Sequence, residues 1–277
     1  MDLNLGFGEK IVRVDIDDNN LLGVLEPNRL DLDLTGQEEV RRAIREPIGT
    51  QRLKDIVKND EKIVIIASDI TRPMPSKVVL PEILNELFEA KVELRNIKIV
   101  FALGSHRKHT EEEKRYLVGD QIYNQIECID SDGYDCVHLG KTSSGTPVDI
   151  FRPVAEADRR ICLGNIEYHY FAGYSGGIKA IMPGVSTRVA IQANHSKMVR
   201  DEAIAGEMLH NPVRKDIDEV ANFIYVDFIL NVVLDERKNI IKAVAGHYIE
   251  AHRRGCQFLD KLFKVEIPER ADVPKGY

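Results

Sequence analysis

Two apolar runs, Lys62-Ile63-Val64-Ile65-Ile66-Ala67 and Ile97-Lys98-Ile99-Val100-Phe101-Ala102-Leu103, interrupt an otherwise mixed pattern in the first half of the chain. A run without polar alternation marks a strand buried on both faces, as in a parallel sheet covered by helices. Between them Val79, Leu80, Ile83, Leu84, Leu87 and Phe88 recur at helical spacing over 77–90. Thr110-Glu111-Glu112-Glu113 then supplies a capping box for a further helix. The rhythm of strand, loop and helix predicts an α/β fold: a mostly parallel, Rossmann-like sheet with helices on both faces. Upstream, the alternating segments 10–14 and 20–25 predict a small N-terminal β segment, a hairpin or edge strands, and 38–44 and 52–57 read as helices. Downstream the pattern predicts short strands over 136–139 and 146–150 and a buried strand over 160–163. A hairpin over 228–234 and 240–244 and an amphipathic helix over 248–263 complete the reading.

The densest polar chemistry follows the 160–163 strand. From Gly164 to His195 the chain carries two histidines, one lysine and five glycines in 32 residues. Tyr168-His169-Tyr170-Phe171 sets an imidazole among aromatics. Gly173-Tyr174-Ser175-Gly176-Gly177 can bring backbone N–H groups close to an anion, because glycine has no Cβ to block the approach. Lys179 stands just past this loop. After Pro183-Gly184 a helix capped by Ser186 is expected to run to His195. Singly, each feature is ordinary: glycine-rich loops join many strands to helices, and most lysines are solvated. Their density is what suits a site.

Composition narrows the possibilities. The 277 residues are 43% hydrophobic and 30% charged, enough to bury a substantial core. A net charge of −7 argues against a nucleic-acid partner, which needs a basic surface. No apolar run approaches the roughly 20 residues of a membrane span, and the first residues lack the apolar core of a signal peptide, so a cytoplasmic protein is expected. Cys128, Cys136, Cys162 and Cys256 show no metal-binding spacing, and Cys162 reads as a buried hydrophobe.

Three expected strand ends carry polar residues: Asp69-Ile70-Thr71-Arg72, Gly104-Ser105-His106, and Gly164 onward to His169. Ligands of open parallel sheets bind at the carboxyl ends of the strands, so these residues can face one crevice. Arg72 offers a fixed fork for a carboxylate or phosphate. His106 and His169, entering from different strand ends, suit proton transfer on two sides of one carbon near neutral pH. The other histidines (His109, His138, His210, His247 and His252) read as structural or surface groups. From the residues alone the expectation is an α/β enzyme handling a small anion. A non-catalytic nucleotide- or cofactor-binding domain is the alternative. A nicotinamide-dependent dehydrogenase is a further one, weakened by the lack of GxGxxG after either early strand.

Ser68-Asp69-Ile70-Thr71-Arg72-Pro73-Met74-Pro75, Gly104-Ser105-His106-Arg107, the segment from Tyr168 to Lys179, and Asn194-His195 occur in the order seen in the nickel-pincer-nucleotide lactate racemases, and the chain resembles that family. The resemblance implies racemisation or epimerisation of a small 2-hydroxy acid such as lactate. It would proceed by hydride transfer to and from a nickel-bearing pyridinium-3,5-bisthiocarboxylic acid mononucleotide made by separate cofactor-synthesis enzymes. It implies that Lys179 anchors the nucleotide covalently, that His195 ligates nickel, and that His106 and His169 are the acid/base pair. Arg72 would hold the substrate carboxylate, with Asp69, Thr71, Gly176 and Gly177 near the cofactor. Family members continue into another domain beginning with a Gly-Tyr/Phe-Pro segment, whereas this sequence stops at Pro274-Lys275-Gly276-Tyr277. The expectation is therefore a cofactor-binding domain over 1–265 and, over 266–277, the start of a linker to an absent C-terminal domain that would supply part of the substrate grip.

Overall fold

The computed structural model describes residues 1–8 and 10–267, so nearly all of the linker expected over 266–277 lies outside the described residues. The chain divides into two compact units: Met1–Asp31 with the segment from Asp260 onward, and Leu32–Leu259. In the first unit β1 (Asp2–Phe7) and β2 (Lys10–Asp15) form an antiparallel hairpin. The strand expected over 20–25 is absent. Asp2–Phe7, itself alternating, reaches β2 across a tight turn at Gly8 (φ +60°) and takes that place. Asn28 ties this unit together, donating from its backbone N–H to Leu262 O (2.7 Å) and from Nδ2 to the carbonyls of Lys261 (3.0 Å) and Lys264 (3.1 Å).

The second unit begins with α1 (Gly36–Arg45) and α2 (Leu53–Ile56), followed by β3 (Ile63–Ser68), α3 (Ser76–Glu89) and β4 (Ile97–Ala102). Next come α4 (Glu111–Val118), α5 (Asp120–Gln125) and β5 (Glu127–Asp130), then the antiparallel pair β6 (Cys136–Lys141) and β7 (Pro147–Phe151), and α6 (Arg152–Ala155). β8 (Arg159–Asn165) leads into a two-residue hairpin, β9 (Tyr168–His169) and β10 (Gly173–Tyr174). α7 (Arg188–His195), α8 (Pro212–Glu219), β11 (Phe228–Leu234), β12 (Ile240–Gly246) and α9 (Glu250–Phe263) complete the order.

The main sheet runs β5-β4-β3-β8-β11-β12, parallel except for β12. Numbered within the sheet this is 3-2-1-4-5-6, the doubly wound order, which reverses between β3 and β8. Ile63, Ile65 and Ala67 of β3 join Val40 and Ile44 of α1 and Val79, Leu80, Ile83 and Leu87 of α3 in one core. Val64 and Ile66 project to the opposite face and are buried as well, which is why the run is apolar without alternation. The capping box of α4 is complete, with Glu113 N–H donating to Thr110 Oγ1 (3.2 Å) and Thr110 N–H to Glu113 Oε2 (2.9 Å).

One helix start differs from expectation, and one was not predicted. α7 is capped by Thr187, whose Oγ1 accepts from Ala190 N–H at 3.2 Å, while Ser186 is buried and donates to Ile181 O at 3.0 Å. α8 begins two residues after His210. Asn211 Oδ1 accepts from Arg214 N–H at 3.0 Å, and Pro212 supplies the preset φ of a first helical residue.

Gly246 ends β12 at φ +125°, and a Cβ there would stand 2.2 Å from Ile48 O across the bridge those residues form. Gly246→Ala should therefore lower unfolding free energy by about 2–4 kcal/mol, read from urea midpoints, since the contact is backbone and the conformation is one L residues rarely adopt. Among the described residues, no helix is long and apolar enough to cross a membrane.

Candidate active site

A crevice of about 160 Å³ opens at the carboxyl ends of β3, β4 and β8, where the strand order reverses. Asp69, Arg72, His106, His169, Gly176, Gly177, Lys179 and His195 all line it. Residues up to 126 positions apart (69 to 195) thus converge on one space, as the strand-end argument requires. Thr71 does not line it. Its hydroxyl and N–H donate instead to Asp69 Oδ1 (2.8 and 3.1 Å), closing a turn that holds the carboxylate in place.

Asp69 is almost fully buried, and its other oxygen accepts from Nδ1–H of the half-exposed His106. A carboxylate behind an imidazole fixes ring and tautomer and leaves Nε2 to exchange protons. The same turn is braced from below by His109. Its Nδ1–H donates to Asp130 (2.6 Å) and its Nε2 accepts from Ile70 N–H (3.0 Å), giving this buried histidine a structural role.

His169 has no carboxylate behind it. Its Nδ1 accepts from Ala172 N–H at 3.3 Å, and the ring stands edge-on to Phe171 with centroids 4.7 Å apart. Burial, reinforced by the charges of Lys179, Arg72 and Arg214, pushes its pKa down to about 3. The other edge contact of Phe171 is with the His195 ring at 5.0 Å, so one phenyl ring separates the two imidazoles. Burial, with Arg214 and Arg72 nearby, holds the Lys179 amine well below the usual lysine range. Among the described residues no carboxylate stands within ion-pair distance of it; Glu167 reaches only Arg72, at 3.9 Å. Burial and Lys179 lower His195 in the same direction.

The glycine loop spends part of its N–H capacity internally. Gly177 N–H is already committed to Asn231 Oδ1 at 2.7 Å, and the turn it opens, Gly177–Ala180, is a single 3-10 turn with no helix behind it. Gly176 (φ +75°) and Gly177 (φ +61°) are needed for close packing. Cβ atoms there would meet Asn231 Oδ1 and the His252 ring, each at 2.9 Å. His252 Nε2–H donates to Ser175 O at 2.7 Å, and buried Arg214 reaches the carbonyls of Ala172 (3.3 Å) and Tyr174. Arg214 and Asn231 escaped sequence reasoning because each lies far along the chain from the loop it holds, whereas His252, read as a structural or surface group, is structural here.

Three histidines held neutral by burial, His169, His195 and His252, make folding acid-sensitive. A histidine with a depressed folded pKa leaves the native chain binding fewer protons than the unfolded one. Stability is therefore complete above about pH 6.5 and falls as pH drops below it. Urea midpoints should decline between about pH 6.5 and 4.5, before carboxylates protonate, and His252→Gln should flatten the decline. An unchanged slope in that variant would show that His252 is not a source of the effect.

The fold and the crevice define a doubly wound α/β protein with a ligand site at the reversal of its strand order. Residues 7–206 match the family model described as lactate racemase N-terminal domain, and the chain belongs to that family. It is 34% identical over 278 residues to a lactate racemase of Thermoanaerobacterium thermosaccharolyticum, spanning 98% of this chain and 65% of that one. A lactate racemase of Lactiplantibacillus plantarum is 37% identical over 270 residues, spanning 95% and 63%. The structure of the T. thermosaccharolyticum lactate racemase apoprotein superposes with a TM-score of 0.87 at 33% identity, covering 95% of this chain and 63% of that chain. A crystal structure of a Thermotoga maritima protein shares the fold at 19% identity, with a TM-score of 0.69. The chain thus spans just under two thirds of the length of the curated racemases it matches.

Proposed function

We propose that this chain is the cofactor- and substrate-binding part of a racemase of small 2-hydroxy acids, with lactate the expected substrate. The observation that carries the reading is that His106 and His169, from different strand ends, line one crevice together with Arg72, Lys179 and His195.

The residues fit the cofactor the family implies. Among the described residues no three His, Cys, Asp or Glu side chains group as a metal site. His195 brings to the crevice a nitrogen donor of the kind nickel accepts, and with no cluster of protein ligands around it the site suits a metal whose remaining donors arrive with the ligand. Burial and the nearby cations lower the Lys179 amine well below the usual lysine range, so it gives up its proton more readily than a solvated lysine, as acylation requires. Lys179 would thus anchor the nucleotide and His195 would hold its nickel. When bound, such a group supplies a reversible two-electron acceptor for the substrate carbon.

The protein's own part is position and protons. Arg72 takes the substrate carboxylate through its guanidinium fork, in place of its loose pairing with Glu167. His106, backed by Asp69, takes or returns the hydroxyl proton on one side. His169 does so on the other, and the aromatic wall of Phe171 keeps its ring apart from His195. Protein made alongside the cofactor-synthesis enzymes should interconvert L- and D-lactate and carry nickel, read by chiral chromatography and elemental analysis. His195→Ala should lose the nickel, and Cys162→Ala, altering a buried thiol on the sheet, should keep it. Nickel retained by His195→Ala would remove the reading of that residue as ligand.

A further inference from the structure

The residue before His195 is a buried asparagine in a fixed orientation. Asn194 is wholly inaccessible, and its Nδ2 donates to Asp216 Oδ2 at 2.7 Å and to Val213 O at 3.2 Å. Both partners only accept, so the amide cannot be turned over without setting its oxygen against a carboxylate. Its Oδ1 is therefore the atom that meets His195 Nδ1 at 3.1 Å. An amide oxygen has no proton to give, so the proton of this contact belongs to Nδ1. In the neutral ring the lone pair is then on Nε2.

Asp216, the clamp, is itself held from several elements. It accepts from Thr142 Oγ1 (2.5 Å) and Thr146 Oγ1 (2.7 Å) in the β6–β7 turn and from Lys197 Nζ (3.1 Å) beyond α7, besides Asn194. Burial alone would raise its pKa, yet hydrogen bonds from Thr142, Asn194, Thr146 and Lys197 hold it below the usual carboxylate range. A saturated, ionised carboxylate leaves the Asn194 amide one orientation.

We propose that Asn194, locked by Asp216, is the positioning residue that sets His195 in the Nδ1–H tautomer and leaves Nε2 as its donor atom. This rests on the reading of His195 as a metal ligand, and it assigns the outer hydrogen bond that such ligands use to fix tautomer and ring orientation. It also gives Thr142, Thr146 and Lys197 a shared task, since they hold Asp216.

The test is the tautomer itself. Long-range proton–nitrogen correlation spectra of protein with ¹⁵N-labelled histidine, prepared without cofactor, report it directly, with His195 assigned by its loss in His195→Ala. The wild type should show a protonated Nδ1. Asn194→Ala should shift the ring to the Nε2–H form that free imidazole prefers, and Asp216→Asn, which keeps the amide but loosens its clamp, should give a mixture. In cofactor-loaded protein, Asn194→Ala should weaken nickel retention against a chelator by roughly 10–100-fold. A wild-type His195 protonated on Nε2 would overturn the proposal without any variant, as would unchanged tautomers in both variants. The ligand reading fails separately: nickel retained by His195→Ala would refute it and leave the tautomer result standing.

Discussion

Replacing either His106 or His169 by alanine should slow interconversion of the lactate enantiomers by roughly 10²–10⁴-fold, the range that one positioned acid–base group contributes. The two rings reach the crevice from opposite kinds of environment. His106 has the buried Asp69 carboxylate behind Nδ1, whereas His169 has only a backbone N–H at Nδ1 and three cations nearby. The two directions therefore use differently supported bases, and their kcat values should differ. The enantiomers have equal free energy, however, so kcat/KM must be the same in both directions for any variant. Each substitution should thus depress both kcat/KM values together. Asp69→Asn, which keeps shape but not charge behind His106, should lower kcat without abolishing it. Full racemisation by either alanine variant would refute the pairing, and a chiral assay started from each pure enantiomer is enough to see it.

Lys179→Ala should abolish covalent loading, and racemisation with it. Wild-type protein made alongside the cofactor-synthesis enzymes should show an added mass that peptide mapping places on Lys179, and the alanine variant should show none. An unmodified Lys179 in protein holding one nickel per chain would refute the anchor. The same substitution has an effect that needs no cofactor. The Lys179 charge is the largest cause, after burial, of the low His169 pKa. Removing it should move the His169 titration upward from about 3, read by histidine NMR. Acylating Lys179, and neutralising Arg72 with a substrate carboxylate, act in the same direction. His169 is thus held a poor base in the empty crevice and becomes a better one as the site fills, by the same electrostatics that make the empty site acid-sensitive.

The candidate acid/base histidines were legible in the sequence because each sits in a short polar segment after a strand end, whereas the candidate anchor Lys179, in a 3-10 turn, and the candidate metal ligand His195, at the end of α7, take their roles from the resemblance to the racemase family. His106 follows Gly104-Ser105 and His169 follows β8, and a parallel sheet gathers such segments without further information. The capping box at Thr110 and the continuous apolar runs of β3 and β4 were readable for a similar reason: their signals are complete within a few residues. The start of α8 is equally local, an Asn-Pro pair at 211–212.

What supports the site was not legible. Asn231 lies opposite Gly164 in the β8–β11 register and takes Gly177 N–H, so the loop that reads as an anion cradle spends that N–H internally. His252 on α9 and Arg214 on α8 hold the same loop by its carbonyls. The depressed pKa values of His169 and Lys179 arise from burial and from cations contributed by separate elements, which no spacing rule encodes. The sequence by itself determined which polar groups follow strand ends and that a mostly parallel sheet would bring them to one edge, because apolar periodicity and strand-end placement are local properties. Only the tertiary structure decided the burial that depresses His169 and Lys179 and which loop N–H is spent internally, because those depend on partners brought together by packing, as Asn231 and Gly177 are across 54 positions.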